Sequence, residues 1–118
     1  MKEEIKYLSV EGENFDENFL PQNKNHFSIF LRLILGPKGE EGEESFDITV
    51  CTPSWISEKL GDNEVFSGRH HLFVKEYNYQ KIIDFIEKNI SNCIGENWNE
   101  IGLKLSRFGY WEFEDYND

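Results

Sequence analysis

The sequence predicts an α+β fold, in which two to three helices pack on one face of a mainly antiparallel sheet of about five strands. Alternating apolar and polar residues, a pattern typical of strands, recur in both halves of the chain. Apolar residues spaced three and four apart, a pattern typical of amphipathic helices, are concentrated in the second half. A turn-forming segment joins the two strongest strand patterns, as in a hairpin.

The first half of the chain supplies three predicted strands. Residues 3–10 alternate weakly, whereas residues 26–35 place five apolar side chains on one side of a strand. A polar connection over residues 11–25 joins these two strands. The acidic loop, residues 36–44 with the sequence GPKGEEGEE, then turns the chain into a return strand at residues 45–51.

The middle of the chain predicts a helix, a strand and a second helix. Thr52-Pro53 indicates a helix start, because a threonine hydroxyl can cap free N–H groups and proline has no N–H to leave unpaired there. This helix ends at Gly61, and a strand over residues 70–77 follows. The longer helix, residues 79–94, carries an isoleucine-rich stripe that predicts a buried face.

The C-terminal segment predicts a short helix, a glycine and a last strand. Trp98 begins an apolar stripe on the helix, and Gly109 is expected to end that helix in a left-handed conformation. Residues 110–116 then alternate, so that Trp111 and Phe113 face the core together with Trp98. The opposite face carries phenols and carboxylates: Tyr110, Glu112, Glu114 and Tyr116.

Length and charge limit the classes of function. A chain of 118 residues is expected to form one domain, residues 1–118, with a single core. Its formal net charge of −11 disfavours binding to nucleic acid or to an anionic membrane, since both require a basic surface. A basic protein partner is the positive counterpart, and an acidic charge that serves only solubility is the alternative.

The location of the protein is expected to be cytoplasmic. The first ten residues carry charges where a signal peptide has its apolar core, and no apolar run approaches the ~18–20 residues of a membrane span. Cys51 and Cys93 are therefore expected to be free thiols in a reducing compartment.

Catalytic and metal-binding patterns are weak in this sequence. His70 and His71 are adjacent in a predicted strand and should point to opposite faces, and no Cys or His pair has metal-ligand spacing. We expect no metal, no cofactor and no enzymatic activity. The alternatives left open are a small cytoplasmic hydrolase-like enzyme that uses Cys51 or a histidine, and an acidic regulatory or structural subunit.

Acidic residues cluster in three segments, residues 11–17, 40–47 and 112–118. Solvated loops and edges explain such clusters in many proteins. Tyrosine beside carboxylates also suits a protein interface, because a rigid ring can be buried while the charges bind lysine or arginine. The predicted contact residues are Glu112, Glu114, Asp115, Tyr116 and Tyr110, followed by Glu40, Glu41, Glu43 and Glu44.

Three segments carry a family resemblance: FDITVCTPSWI (46–56), GRHHLFVKEYNYQKIIDFIEK (68–88) and GENWNEIGLKLSRFGYWEFEDY (95–116). Together they resemble the immunity protein 8 family of bacterial polymorphic toxin and contact-dependent inhibition systems. The most specific parts are Thr52-Pro53-x-Trp55 and the ending Trp98…Trp111-Glu112-Phe113.

The resemblance implies a small α+β protein that is encoded beside a toxin gene and neutralises the cognate toxin domain by binding it. The family leaves the toxin and the oligomeric state open. Because nucleases carry basic substrate clefts that an acidic protein can fill, we expect the toxin to be a basic nuclease.

Overall fold

In the described part of the chain, a six-stranded sheet and three helices form the framework, and this architecture confirms the predicted α+β class. The structure, a computed structural model, describes residues 2–113, apart from the side chains of residues 62 and 63. Its elements are β1 (Glu3–Val10), β2 (Glu13–Asn14), β3 (Ser28–Pro37), β4 (Glu44–Cys51), α1 (Pro53–Asn63), β5 (His71–Phe73), α2 (Tyr79–Ser91), α3 (Trp98–Leu105) and β6 (Tyr110–Trp111). Among the helices described, none has both the length and the apolar character needed to cross a membrane.

The sheet has the strand order β2-β1-β3-β4-β5, and β6 also pairs with β4. β1, β3 and β4 are antiparallel neighbours, as predicted for the hairpin around the acidic loop. The outer edge of β4 is shared by two short strands. β5 runs parallel to its end at Thr49–Cys51, and β6 runs antiparallel to its start at Phe46 and Asp47.

The core lies between one face of the sheet and the helices α2 and α3. Alternate residues of β3 and β4 point into it, because successive side chains of a strand point to opposite faces. The fully buried β3 and β4 residues that belong to this core are Leu31, Leu33, Leu35, Phe46, Ile48 and Val50. The helices cover them with the apolar stripes that the sequence predicts, of which Ile82, Ile86, Ile90, Ile101 and Leu105 are the most deeply buried.

Trp111 fastens β6 to both the sheet and α3. Its side chain is 6% exposed, and its ring stacks on that of Phe46 with centroids 6.1 Å apart. On its other side it lies against Gly102, where an added Cβ would come within 2.5 Å of the indole. The indole Nε1 donates a hydrogen bond to Glu44 Oε2 at 3.1 Å. A glycine at position 102 is therefore required for the tryptophan to reach the core.

The end of the chain departs from the predicted alternation. β6 covers only Tyr110–Trp111, and the chain then turns, so that Phe113 is 43% exposed. The prediction of a buried Phe113 is wrong, whereas that of a buried Trp111 is confirmed. Trp98 is half-buried and packs against the core. The predicted strand continues into residues 114–116, which lie outside the described residues.

Gly109 serves a different purpose from the one predicted. The helix α3 ends at Leu105 with Ser106 as its C-cap in a right-handed conformation, and Gly109 is not among the residues with positive φ. A Cβ at Gly109 would instead lie 3.3 Å from Phe46 Cβ and 3.4 Å from the Asp47 carbonyl oxygen. Its lack of a side chain lets the chain approach β4 closely just before β6.

Three other local predictions are corrected by tertiary contacts. The strand predicted over residues 70–77 is limited to β5, because His70 has a left-handed backbone and pairing ends after Val74 N–H donates to the Cys51 carbonyl. The predicted helix over residues 79–94 ends earlier, at Ser91. The Thr52 hydroxyl does not cap α1; it accepts a hydrogen bond from the Phe27 N–H at 3.2 Å. The helix start is thereby tied to β3.

Both cysteines are free thiols, as predicted; Cys51 is buried and Cys93 is half-buried.

Trp111→Ala should lower the free energy of unfolding by about 3–5 kcal/mol, because it removes a buried large aromatic that three elements share. Urea unfolding of the variant and the parent measures this loss. Phe113→Ala is the matched control, and it should cost at most about 1 kcal/mol because that ring is largely exposed. Equal stability of Trp111→Ala and the parent would contradict this account of the fold.

Candidate protein-binding surface

The acidic loop is held against β1 by two side chains that face it. Lys6 Nζ donates to the Glu40 carbonyl oxygen at 2.9 Å, and the Gly39 N–H donates to Glu4 Oε1 at 3.2 Å. Lys6 and Glu4 also form an ion pair of 2.9 Å. The hydrogen bond from Lys6, together with that from Gly39, lowers the pKa of Glu4. The loop backbone is therefore anchored while the side chains of Glu40, Glu41 and Glu43 remain exposed.

The strand β6 brings a second acidic segment to this loop. The Ser45 N–H donates to Glu112 Oε1 at 2.9 Å, and the Glu112 N–H donates to the Ser45 carbonyl oxygen at 3.2 Å. These two hydrogen bonds place Glu112 beside Glu44, whose side chain accepts a hydrogen bond from the Trp111 indole. Ser45 and Glu112 are 67 positions apart in the sequence, and they are neighbours in the structure. We name the resulting surface the acidic edge: Glu40, Glu41, Glu43, Glu44 and Glu112.

Charge within the acidic edge is only partly compensated. Partial burial raises the pKa of Glu44, and the charge of Glu112 raises it further, while the hydrogen bond from Trp111 acts in the opposite direction. Asp47, which belongs to the same acidic segment of the sequence, is instead neutralised by Arg32, with Nε–Oδ1 and Nη2–Oδ2 distances of 2.8 and 3.0 Å. Carboxylates that lie this close together create a negative potential that favours a cationic partner.

The predicted contact residues fall into three groups. The five members of the acidic edge lie together at one end of the β3–β4 hairpin and its neighbour β6. Tyr110 is 44% exposed and points to the sheet face opposite the helices, because it precedes the core-facing Trp111. Glu114, Asp115 and Tyr116 lie outside the described residues.

Tyr110 belongs to a shallow pocket on that open sheet face. Its ring meets His70 edge-on with centroids 5.8 Å apart. The cavity measures about 240 Å³, and its lining includes Phe30, Thr49, Arg69 and His71. The lining is mainly aromatic, cationic or neutral, and its carboxylate is that of Asp47, which is paired with Arg32. Tyr110 therefore lies beside Asp47 on the open sheet face, whereas Glu40, Glu41 and Glu43 project from the loop at the end of the hairpin.

Glu3 is a buried acid that the sequence patterns did not single out. It opens β1 opposite Pro37 and is 6% exposed, yet neither carboxylate oxygen has a hydrogen-bond partner among residues 2–113. Burial, and then the charge of Glu44, raises its pKa to about 7. The alternation of β1 could have indicated this burial, because residues two apart in a strand point to the same face and Ile5 packs against the core.

The residues considered for catalysis are arranged unfavourably for it. Burial raises the pKa of the Cys51 thiol to about 11, so the thiolate that acts as a nucleophile is scarce at neutral pH. His70 Nε2 lies 2.7 Å from the Ser106 carbonyl oxygen, and His71 Nδ1 lies 2.7 Å from that of Arg69. Within residues 2–113, no three His, Cys, Asp or Glu side chains are grouped so as to hold a metal ion.

A comparison with protein families identifies the family of this chain. The family model described as immunity protein 8 matches residues 3–116 of the chain. The chain belongs to the immunity protein 8 family. No curated protein and no solved structure matches it. Membership confirms the resemblance of the three sequence segments and extends it through β1 and the acidic loop. It identifies an immunity protein, which implies a toxin as the binding partner.

Glu3→Gln should stabilise this immunity protein at high pH but not at low pH. Below the ordinary pKa of 4.5 the Glu3 carboxyl is protonated in both the folded and unfolded states. As the pH rises towards 7, only the unfolded chain ionises, so stability is lost through that interval and stays lost above it. A raised pKa of this size corresponds to about 3 kcal/mol, which the uncharged glutamine avoids.

Urea unfolding at about pH 4 and about pH 8 measures this difference. Glu13→Gln removes the same charge from an exposed position in β2 and should behave like the parent at both pH values. An equal change in stability at both pH values for Glu3→Gln would contradict the assigned pKa.

Proposed function

We propose that this immunity protein neutralises a basic toxin domain in the cytoplasm by covering its substrate cleft with the acidic edge, without catalysis of its own. The observation that carries the proposal is the pairing of Ser45 with Glu112, which joins two acidic segments into one surface. Family membership supplies the expectation of a toxin partner. The charge of −11 supports the choice of a basic one.

A nuclease is the class of toxin that fits this surface best. Nucleic-acid substrates present regularly spaced negative charges, so a nuclease cleft holds lysine and arginine side chains placed to receive phosphates. Carboxylates can occupy the positions of those phosphates. Glu40, Glu41 and Glu43 project from the loop, and Glu112 lies next to them directly after β6, so several acids can enter one cleft together.

The acidic edge is also suited to binding because the backbone of its loop is anchored to β1. Ordering a flexible loop on binding reduces affinity, and the contacts of Lys6 and Glu4 to the loop backbone remove part of that cost. Phe113 lies beside the edge, with its ring edge-on to Trp111 at a centroid distance of 5.8 Å. Exposed aromatic residues, phenylalanine among them, are enriched in protein interfaces relative to the rest of the surface.

Removal of charge from the acidic edge should weaken toxin binding mainly through slower association. The test variant replaces Glu40, Glu41 and Glu43 by glutamine. The matched control replaces Glu11, Glu13 and Glu17, three exposed acids of the first acidic segment, and so has the same net charge. The probe is the toxin domain encoded by the neighbouring gene, with association and dissociation rates measured at low and high salt.

The edge variant should associate at least about tenfold more slowly than the control at low salt, and the difference should shrink at high salt. Association of the parent that does not depend on salt would contradict the charge-based proposal. Equal rates for the edge variant and the control would move the interface elsewhere, and the open sheet face around Tyr110 and Phe30 is then the next surface to test.

A further inference from the structure

A small pocket lies behind the acidic loop, and Glu3 forms part of its wall. The pocket measures about 200 Å³, and its lining includes Glu41, Glu43, Glu44 and Trp98. Glu3 is more than nine-tenths buried, and both of its oxygens are shielded from solvent without a hydrogen-bond partner in the described part of the chain. The pocket therefore combines an acidic rim, an indole wall and a buried acid.

Neither protonation state of Glu3 is satisfied by the residues around it. An ionised carboxylate needs donors, and a protonated carboxyl needs an acceptor for its O–H; residues 2–113 provide Glu3 with neither. Buried polar groups in proteins are nearly always hydrogen-bonded, so an orphan of this kind requires an explanation. A hydrogen-bond donor from a binding partner would explain why Glu3 has no hydrogen-bond partner in the described part of the chain.

We infer that this pocket receives one lysine or arginine side chain of the bound toxin, whose cationic head pairs with Glu3 and Glu44 while its methylene stem lies against Trp98. The inference rests on the proposed function, since the cation belongs to the toxin. The carboxylates of Glu41 and Glu43 stand at the entrance and guide the cation inward.

A cationic side chain fits this pocket better than a metal ion. Metal ions require several ligand side chains that converge on one point, and the described residues hold no group of three that does so. An ammonium or guanidinium group needs only one or two carboxylates, and its apolar stem gains from contact with an aromatic wall. Trp98 supplies that wall at the start of α3.

Docking of the cation should release a proton. Before binding, the raised pKa leaves much of Glu3 protonated near neutral pH. When the cation arrives, the carboxyl O–H bond breaks, the proton passes to the buffer, and a carboxylate–cation pair forms with charge conserved. The titratable residues that line the two pockets beside Glu3, or that interact with it electrostatically, are Glu4, Glu41, Glu43, Glu44, Glu87 and Cys93.

The first test uses the isolated protein with n-butylammonium or n-butylguanidinium chloride, which mimic the two side chains. The carboxyl carbon of Glu3, assigned by comparison with Glu3→Gln, is followed by NMR as the pH is varied. At least one of the two cations should lower the pKa of Glu3, and sodium chloride at the same ionic strength should not. A titration that is the same in all three salts would overturn the inference.

The second test uses the toxin domain encoded by the neighbouring gene. Glu3→Gln should bind it at least about tenfold more weakly than the control Glu13→Gln, the effect expected when one charge-assisted hydrogen bond is lost. Calorimetry in two buffers of different ionisation enthalpy should show proton release by the parent and less release by Glu3→Gln. Equal affinity and equal proton release for the two variants would contradict the inference.

The two tests separate failure of the inference from failure of the proposed function. If the parent does not bind the neighbouring toxin, the proposed function fails, and the NMR titration still decides whether the pocket takes a cation. If the parent binds tightly and Glu3→Gln binds equally well, the proposed function stands and the pocket is not part of the interface.

Discussion

The acidic surface of this immunity protein depends on the packing of one indole. Trp111 fills the space that Gly102 leaves on α3, stacks on Phe46 and donates to Glu44. These contacts hold β6 against the edge of β4, and the main chain of Glu112 then pairs with Ser45. Without this anchor, the acids of the loop and of the C-terminal segment would be separate. An apolar contact in the core therefore determines where the charges of the surface lie.

The assembly of acids is unfavourable for the isolated protein. The charge of Glu112 raises the pKa of Glu44, that of Glu44 raises the pKa of Glu3, and Glu3 is buried without a partner in the described residues. Such arrangements reduce folding stability, and proteins retain them where binding or catalysis uses the stored free energy. A basic toxin would reduce the repulsion between the carboxylates of the acidic edge. It would also supply the buried Glu3 carboxylate with a charged partner in place of water. The same groups that weaken the free protein would then strengthen its complex.

Patterns within single elements were predictable from the sequence, and relations between elements were not. Spacing alone predicted the buried face of α2 and the burial of Trp111, because both follow from local periodicity. The alternation of β1 was hard to read because a bulge between Ile5 and Tyr7 changes its phase. The predicted burial of Phe113 is wrong because the chain turns after Trp111. The proximity of Glu44 to Glu112 depends on strand pairing between distant segments.

Amide hydrogen exchange of the protein, free and in complex with the neighbouring toxin domain, tests the central claim most directly. Backbone amides that become buried in an interface exchange more slowly, so the footprint locates the contact surface. We predict added protection in the acidic loop, at Ser45 and in β6 through Phe113, with little change in β2 and α1. Protection confined to residues 64–74 and the open sheet face, with none in the acidic loop, would contradict the account.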